Sequence, residues 1–140
     1  MQKPTKPSSV DKILKFKFRL AFIFWVLGIT ILSLTKLESD MPSEVSFIGF
    51  DKVVHVLFYF GFTFLLSLGF MEYKRVALSV KQLILIGILA ASYGLFIEYL
   101  QQELTTSRQA EFYDILANLT GTLFAVLFLK YTSWYYRHLN

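Results

Sequence analysis

The sequence predicts an all-α membrane protein: a bundle of four transmembrane helices with both termini in the cytoplasm. Three observations predict it. Hydrophobic residues make up 55% of the 140-residue chain, and the mean hydropathy is +0.52. The apolar residues are gathered into four long uncharged runs. The basic residues fall between those runs unevenly, in alternate segments. A water-soluble domain of this length buries one such run, and four call for a lipid environment.

Taken in order, the first run is the sixteen residues between Arg19 and Lys36, LAFIFWVLGITILSLT. The second is the nineteen between Lys52 and Glu72, the third the sixteen between Lys81 and Glu98, and the fourth the fifteen between Asp114 and Lys130. Crossing the hydrocarbon takes about 20 residues, which predicts helices over roughly 18–36, 53–72, 83–102 and 112–131. Residues 1–17 are polar and basic, with Pro4 and Pro7, and are expected to form a disordered cytoplasmic arm. Residues 18–140 form a single four-helix domain. The first run has the basic flank of a secretory signal, but SLTKLESDMPS after it offers no small-x-small cleavage site, so it is taken as a retained helix.

Eleven of the fourteen Lys and Arg residues lie in the N-terminal segment, the second loop and the tail; Lys36, Lys52 and Arg108 lie in the first and third loops. Cytoplasmic loops carry the excess of Lys and Arg, so this split predicts cytoplasmic termini and outward-facing first and third loops. Trp134, Tyr135 and Tyr136 then belong to the inner interfacial belt. The net charge of +4 and pI near 9.3 are accounted for by topology, and no nucleic-acid partner is implied. There is no cysteine, hence no disulfide and no thiol chemistry.

Polar residues converge at the outer ends of three helices. Asp51, His55 and Tyr59 are spaced i, i+4, i+8 and share a stripe of the second helix, with Lys52 beside them. From Lys81 to Glu98 is about 25 Å of helix, and from Asp114 to Lys130 about 24 Å, at 1.5 Å per residue. Both distances are shorter than the hydrocarbon thickness of about 30 Å. Glu98 and Asp114 are therefore expected inside the outer leaflet, facing the bundle interior, where a charged group finds a partner. Gln101 follows Glu98 on one face, and Asn118 follows Asp114. Gly121 and Thr122 continue that side as small residues that permit close helix approach. Arg108, on the loop between them, is the expected partner of the two acids, since its planar fork engages a carboxylate or a phosphate.

Three stretches resemble the VanZ-like family of small multi-pass membrane proteins. They are DKVVHVLFY (Asp51, Lys52, His55, Tyr59), YGLFIEYLQ (Tyr93, Gly94, Glu98, Gln101) and RQAEFYDILANLTG (Arg108, Asp114, Asn118, Gly121). They are similar, in order, to the family's D-K-x-x-H-x-x-x-Y, E-x-x-Q and R-x(5)-D-x-x-x-N-x-x-G patterns. The resemblance covers about residues 20–130. Two departures are visible: Thr106-Ser107 stand where the family often has Pro-Gly, and Ala125 where it often has a second Gly. The resemblance implies a bacterial cytoplasmic-membrane protein working at the outer face on lipid-linked envelope material, with a link to teicoplanin resistance.

The residues admit readings of three classes. In a recognition protein, Arg108 and Lys52 bind the phosphate of an anionic lipid headgroup or envelope precursor, while Glu98 and Asp114 orient Arg108. In a headgroup-cleaving or headgroup-transferring enzyme, His55 is the acid/base, an acid such as Asp114 orients it, and Arg108 stabilises phosphoryl charge. In a scaffold, Glu98, Asp114 and Arg108 are a structural ion-pair set for helix register. Gln101 and Asn118 read as interhelical hydrogen-bonders. No cofactor is implied. His55, Glu98 and Asp114 are each reasonable metal ligands, but the usual zinc spacings along a chain are absent, so no metal is assigned. No phosphate loop or serine elbow is present, which favours binding over catalysis.

Overall fold

Alternating stretches of apolar helix formers and short polar breaks fold into four helices, labelled here in chain order. In the computed structural model, α1 spans Lys17–Leu34, α2 Phe50–Lys74, α3 Val80–Leu104 and α4 Phe112–Leu139. The structure describes residues 16–35, 50–104 and 112–139, with side chains described as far as Thr132. The N-terminal arm, the first loop and the loop bearing Arg108 lie outside the described residues, as do the side chains of Trp134, Tyr135 and Tyr136.

All four helices are long and apolar enough to cross a membrane, so the chain has the architecture of a multi-pass membrane protein. The described residues contain no strand. Helix bounds differ from the sequence expectation mainly by extension. α2 and α3 each gain residues at both ends, and α4 runs on past 131. A length rule halts at about 20 residues, but the helical backbone continues through Lys74 and Lys81 and on past Lys130, whose long side chains can reach the interface. α1 instead stops short of 36, where the extended backbone of Thr35 closes the helix with an N–H bond to the Ile31 carbonyl.

The α2–α3 connection is built by local chemistry. Arg75 takes a left-handed φ of 56° and donates its N–H to the Met71 carbonyl (2.8 Å), ending α2. Ser79 and Gln82 then form a capping box. Ser79 Oγ accepts from the Gln82 N–H (3.4 Å), and Gln82 Oε1 accepts from the Ser79 N–H (2.9 Å).

The bundle buries polar side chains beside its apolar core and exposes large apolar ones. Its buried residues include His55, Thr63, Ser67, Glu98, Gln101, Asp114 and Asn118, whereas Phe24, Leu57, Ile84, Leu95, Leu123 and Phe128 are exposed. That is the reverse of a water-soluble bundle and matches a surface solvated by lipid. α2 and α4 pack most closely, and the sequence shows why. Ala117, Gly121 and Ala125 form a small-residue stripe on α4, all buried. A methyl on Gly121 would collide with the Val56 carbonyl oxygen and come within 2.9 Å of the Phe60 nitrogen. Ala125, where the resembled pattern has glycine, is fully buried and still fits.

α1 leans on α2 and α3 with little burial and is fastened by hydrogen bonds. Trp25 Nε1 donates to the Phe58 carbonyl of α2 (3.0 Å). The Thr30 and Tyr93 hydroxyls are 2.7 Å apart, and both reach the Val26 carbonyl. The apolar centre is Ile29, Tyr59, Phe62 and Ala90, flanked by Phe22, Phe58 and Tyr93.

Candidate functional site

Four helices in alternating direction bring the end of α1, the start of α2, the end of α3 and the start of α4 to one end of the bundle. The polar residues of the three motifs collect there. His55 projects from the second turn of α2, Glu98 from α3 two turns before its end, and Asp114 from the first turn of α4. An acid in a helix's first turn is favoured by the helix dipole, which suits Asp51 and Asp114.

The three side chains meet in the interior. One ligand atom from each of His55, Glu98 and Asp114 lies within 4.8 Å of the other two. Their relative exposures are 6%, 3% and 7%, which puts all three out of contact with the surrounding medium. His55 Nδ1 donates to Asn118 Oδ1 (3.0 Å) across the α2–α4 contact and lies 3.6 Å from Glu98 Oε1. The acids thus face the bundle interior, as the depth argument expects.

The pairing of charges differs from the expectation for Lys52. Its ammonium bridges Asp51 Oδ2 (2.8 Å) and Asp114 Oδ1 (2.7 Å). Asp51 precedes Lys52 on α2 and Asp114 opens the neighbouring α4, so the anticipated phosphate ligand is engaged by carboxylates instead. Arg108, the expected partner of the acids, lies outside the described residues. Asn118 hydrogen-bonds the His55 ring and Glu98 stands 3.6 Å from it, with the Asp114 carboxylate within 4.8 Å.

Two further motif residues sit at the margin of the cluster. Gln101 Nε2 donates to the Ser33 carbonyl (3.0 Å), tying α3 to the end of α1. Tyr59 is almost fully buried one turn below His55, and its hydroxyl has no hydrogen-bond partner among the described residues. Gly94 makes room for both neighbours: a methyl there would stand 3.1 Å from Tyr59 Cε1 and 3.1 Å from Asn118 Nδ2.

Below Tyr59 the i+4 stripe continues as Thr63 and Ser67, both fully buried, with Thr122 of α4 also buried. Sequence reasoning stopped the stripe at Tyr59; the same i+4 spacing would have extended it. A small cleft of about 80 Å³ lies between α3 and α4, lined by Ala91, Leu95, Ile115, Asn118 and Leu119. Asn118 therefore touches the polar cluster on one side and this apolar cleft on the other.

No protein-family model, curated protein or solved structure matches this chain. The class defined by its fold and site is a four-helix, multi-pass membrane protein with a buried His–Glu–Asp cluster near one end.

Proposed function

We propose that this protein is VanZ-like and recognises the headgroup of an anionic lipid or lipid-linked cell-envelope precursor at the outer face of a bacterial cytoplasmic membrane. The observation that carries the reading is Asn118, shared between the buried His55–Glu98–Asp114 cluster and the apolar cleft between α3 and α4. A lipid entering sideways would keep its chains against Leu95 and Leu119 while its polar end reaches the cluster. Orientation rests on charge: among the described residues the opposite end holds Lys17, Arg19, Lys74, Arg75, Lys81 and Lys130, and the site end holds Lys52. A link to glycopeptide resistance follows only through the family resemblance.

Lipid selection is the direct test. The purified protein in mixed-lipid nanodiscs should enrich phosphatidylglycerol or a polyprenyl phosphate over phosphatidylcholine, read by mass spectrometry of the retained lipid. Leu95→Trp, which fills the cleft, should abolish the enrichment. Equal retention of all lipids by the wild type would end the proposal. Orientation is testable without background, since the chain has no native cysteine. A cysteine at Glu103 should label from outside the cell, and one at Tyr73 only after permeabilisation.

A second reading has its own support in the His55 environment. A histidine held by Asn118 with a carboxylate 3.6 Å away is the arrangement of a positioned general acid/base. On this reading the site cleaves or transfers the headgroup. Release of a water-soluble headgroup from labelled lipid, lost in His55→Ala, distinguishes it from recognition alone.

A further inference from the structure

We propose that His55, Glu98 and Asp114 form a binding site for one zinc-class divalent cation. The donor set is one imidazole nitrogen and two carboxylate oxygens, a mixture that suits a first-row divalent ion such as Zn²⁺. The three donors come from three helices, α2, α3 and α4, so no spacing along the chain announces them. Their ligand atoms already lie within 4.8 Å of one another. Zn–N and Zn–O bonds of about 2.0–2.2 Å set neighbouring ligands roughly 3.4 Å apart in a tetrahedron, so the groups have to draw in by about 1.4 Å at most.

Asp51 and Asp114 both reach the Lys52 ammonium, and Glu98 stands 3.6 Å from the His55 ring. Buried carboxylates are costly in a medium of low dielectric constant, and a divalent cation offsets that cost. The surroundings have the form of a metal site's outer layer. Asn118 accepts from His55 and fixes its ring, as the hydrogen-bonded partner of a ligating histidine does. Lys52 engages Asp114 in the same supporting manner. Independently, the Tyr59 hydroxyl is buried without a hydrogen-bond partner among the described residues, within the field of Glu98.

Three protein ligands leave a zinc coordination position open, as in catalytic zinc sites. A phosphate oxygen of a headgroup is the occupant that follows from the function proposed above. The cation site itself does not depend on that function; only the identity of the open-position ligand does.

The test is Zn²⁺ uptake by the full chain. Detergent-purified protein, stripped with chelator and desalted, is titrated with Zn²⁺ by calorimetry, with bound metal counted by elemental analysis. One equivalent per chain is expected. His55→Ala, Glu98→Gln and Asp114→Asn should each weaken binding by about 100-fold or more, and Asn118→Ala by roughly 10–100-fold. Glu72→Gln, an acid at the opposite end, should leave uptake unchanged. Co²⁺ loaded into the wild type should give visible absorption bands that Glu98→Gln alters, a readout that loss of stability alone does not produce. Absence of stoichiometric uptake, or equal weakening in Glu72→Gln, overturns the site. Zn²⁺ binding without lipid selection retains the metal site and removes the headgroup reading; chelator-resistant lipid selection with no Zn²⁺ uptake does the reverse.

Discussion

The two ends of the bundle handle charge in opposite ways. At the basic end, Arg19 and Glu72 approach to 3.7 Å. The Arg19 guanidinium also lies over Phe16 (4.4 Å) and Tyr73 (5.5 Å). One cation meets one anion at the rim of the membrane region, with aromatic rings completing the shell. At the site end, Asp51 and Asp114 share Lys52 while Glu98 stands beside His55, and Glu98 is nearly inaccessible. A balanced pair at a helix end needs no further account than anchoring. An acid-rich cluster buried among apolar helices is costly to the fold, and that kind of cost is usual where a site binds something.

The largest effect expected from this contrast concerns the packing that supports the site end. Gly121 lies against the backbone of α2 at Val56 and Phe60, one turn from His55. Gly121→Val should prevent α2 and α4 from closing and abolish recovery of monodisperse protein, since overpacking alone costs about 1–3 kcal/mol and backbone is the obstacle here. Gly28→Val, where a methyl meets nothing within 4 Å, should leave yield near wild type. Similar yields from the two variants would show that the close approach does not matter.

Next in size is a difference of sign. With chelator present, Glu98→Gln removes a buried carboxylate from the cluster and should raise thermal stability by about 1 kcal/mol, the trade expected where function is built at the expense of stability. Glu72→Gln leaves Arg19 its rings alone and should lower stability, by no more than about 1 kcal/mol because Arg19 is partly exposed. Thermal unfolding in detergent measures both. A marked loss in Glu98→Gln would mean that this carboxylate holds the helices together.

How much of this was legible beforehand follows the range of the interactions. The four helices, the inward facing of Glu98 and Asp114, and the small residue Gly121 come from length, charge position and local period, which a sequence carries directly. The i+4 row through His55 and Tyr59 was visible, and its extension through Thr63 and Ser67 obeys the same rule. What the chain order conceals is which groups meet across helices. Lys52 turns to Asp51 and Asp114 because α2 and α4 start side by side, and Asn118 reaches His55 because Gly121 draws those helices together. The proposed metal donors are invisible to motif spacing for the same reason, being 43 and 16 residues apart along the chain.

A smaller effect should fall on the site without touching the fold. Gly94 sits where a methyl would press on both Tyr59 and Asn118 at 3.1 Å. Both neighbours are side chains that can yield by a few tenths of an ångström, so Gly94→Ala should melt close to wild type. The displaced Asn118 would orient His55 less well, and Zn²⁺ affinity should fall about tenfold. Unchanged affinity would detach Asn118 from the site.

The smallest expected change belongs to neither end. Tyr93 of α3 meets Thr30 of α1 at 2.7 Å, midway along the helices and away from both charged groups. Tyr93→Phe keeps the ring that stacks on Phe62 at 5.0 Å and removes only the hydroxyl. Thr30 retains its bond to the Val26 carbonyl, so no buried donor is stranded. Interhelical hydrogen bonds in membrane bundles average about 0.6 kcal/mol, and a loss of that size is expected by thermal unfolding. Lipid selection and Zn²⁺ uptake should both be unchanged, because α1 contributes no side chain to the His55–Glu98–Asp114 cluster. If Tyr93→Phe instead weakened Zn²⁺ uptake, the seating of α1 would control the geometry of the other three helices, and the separation between fastening and function drawn here would fail.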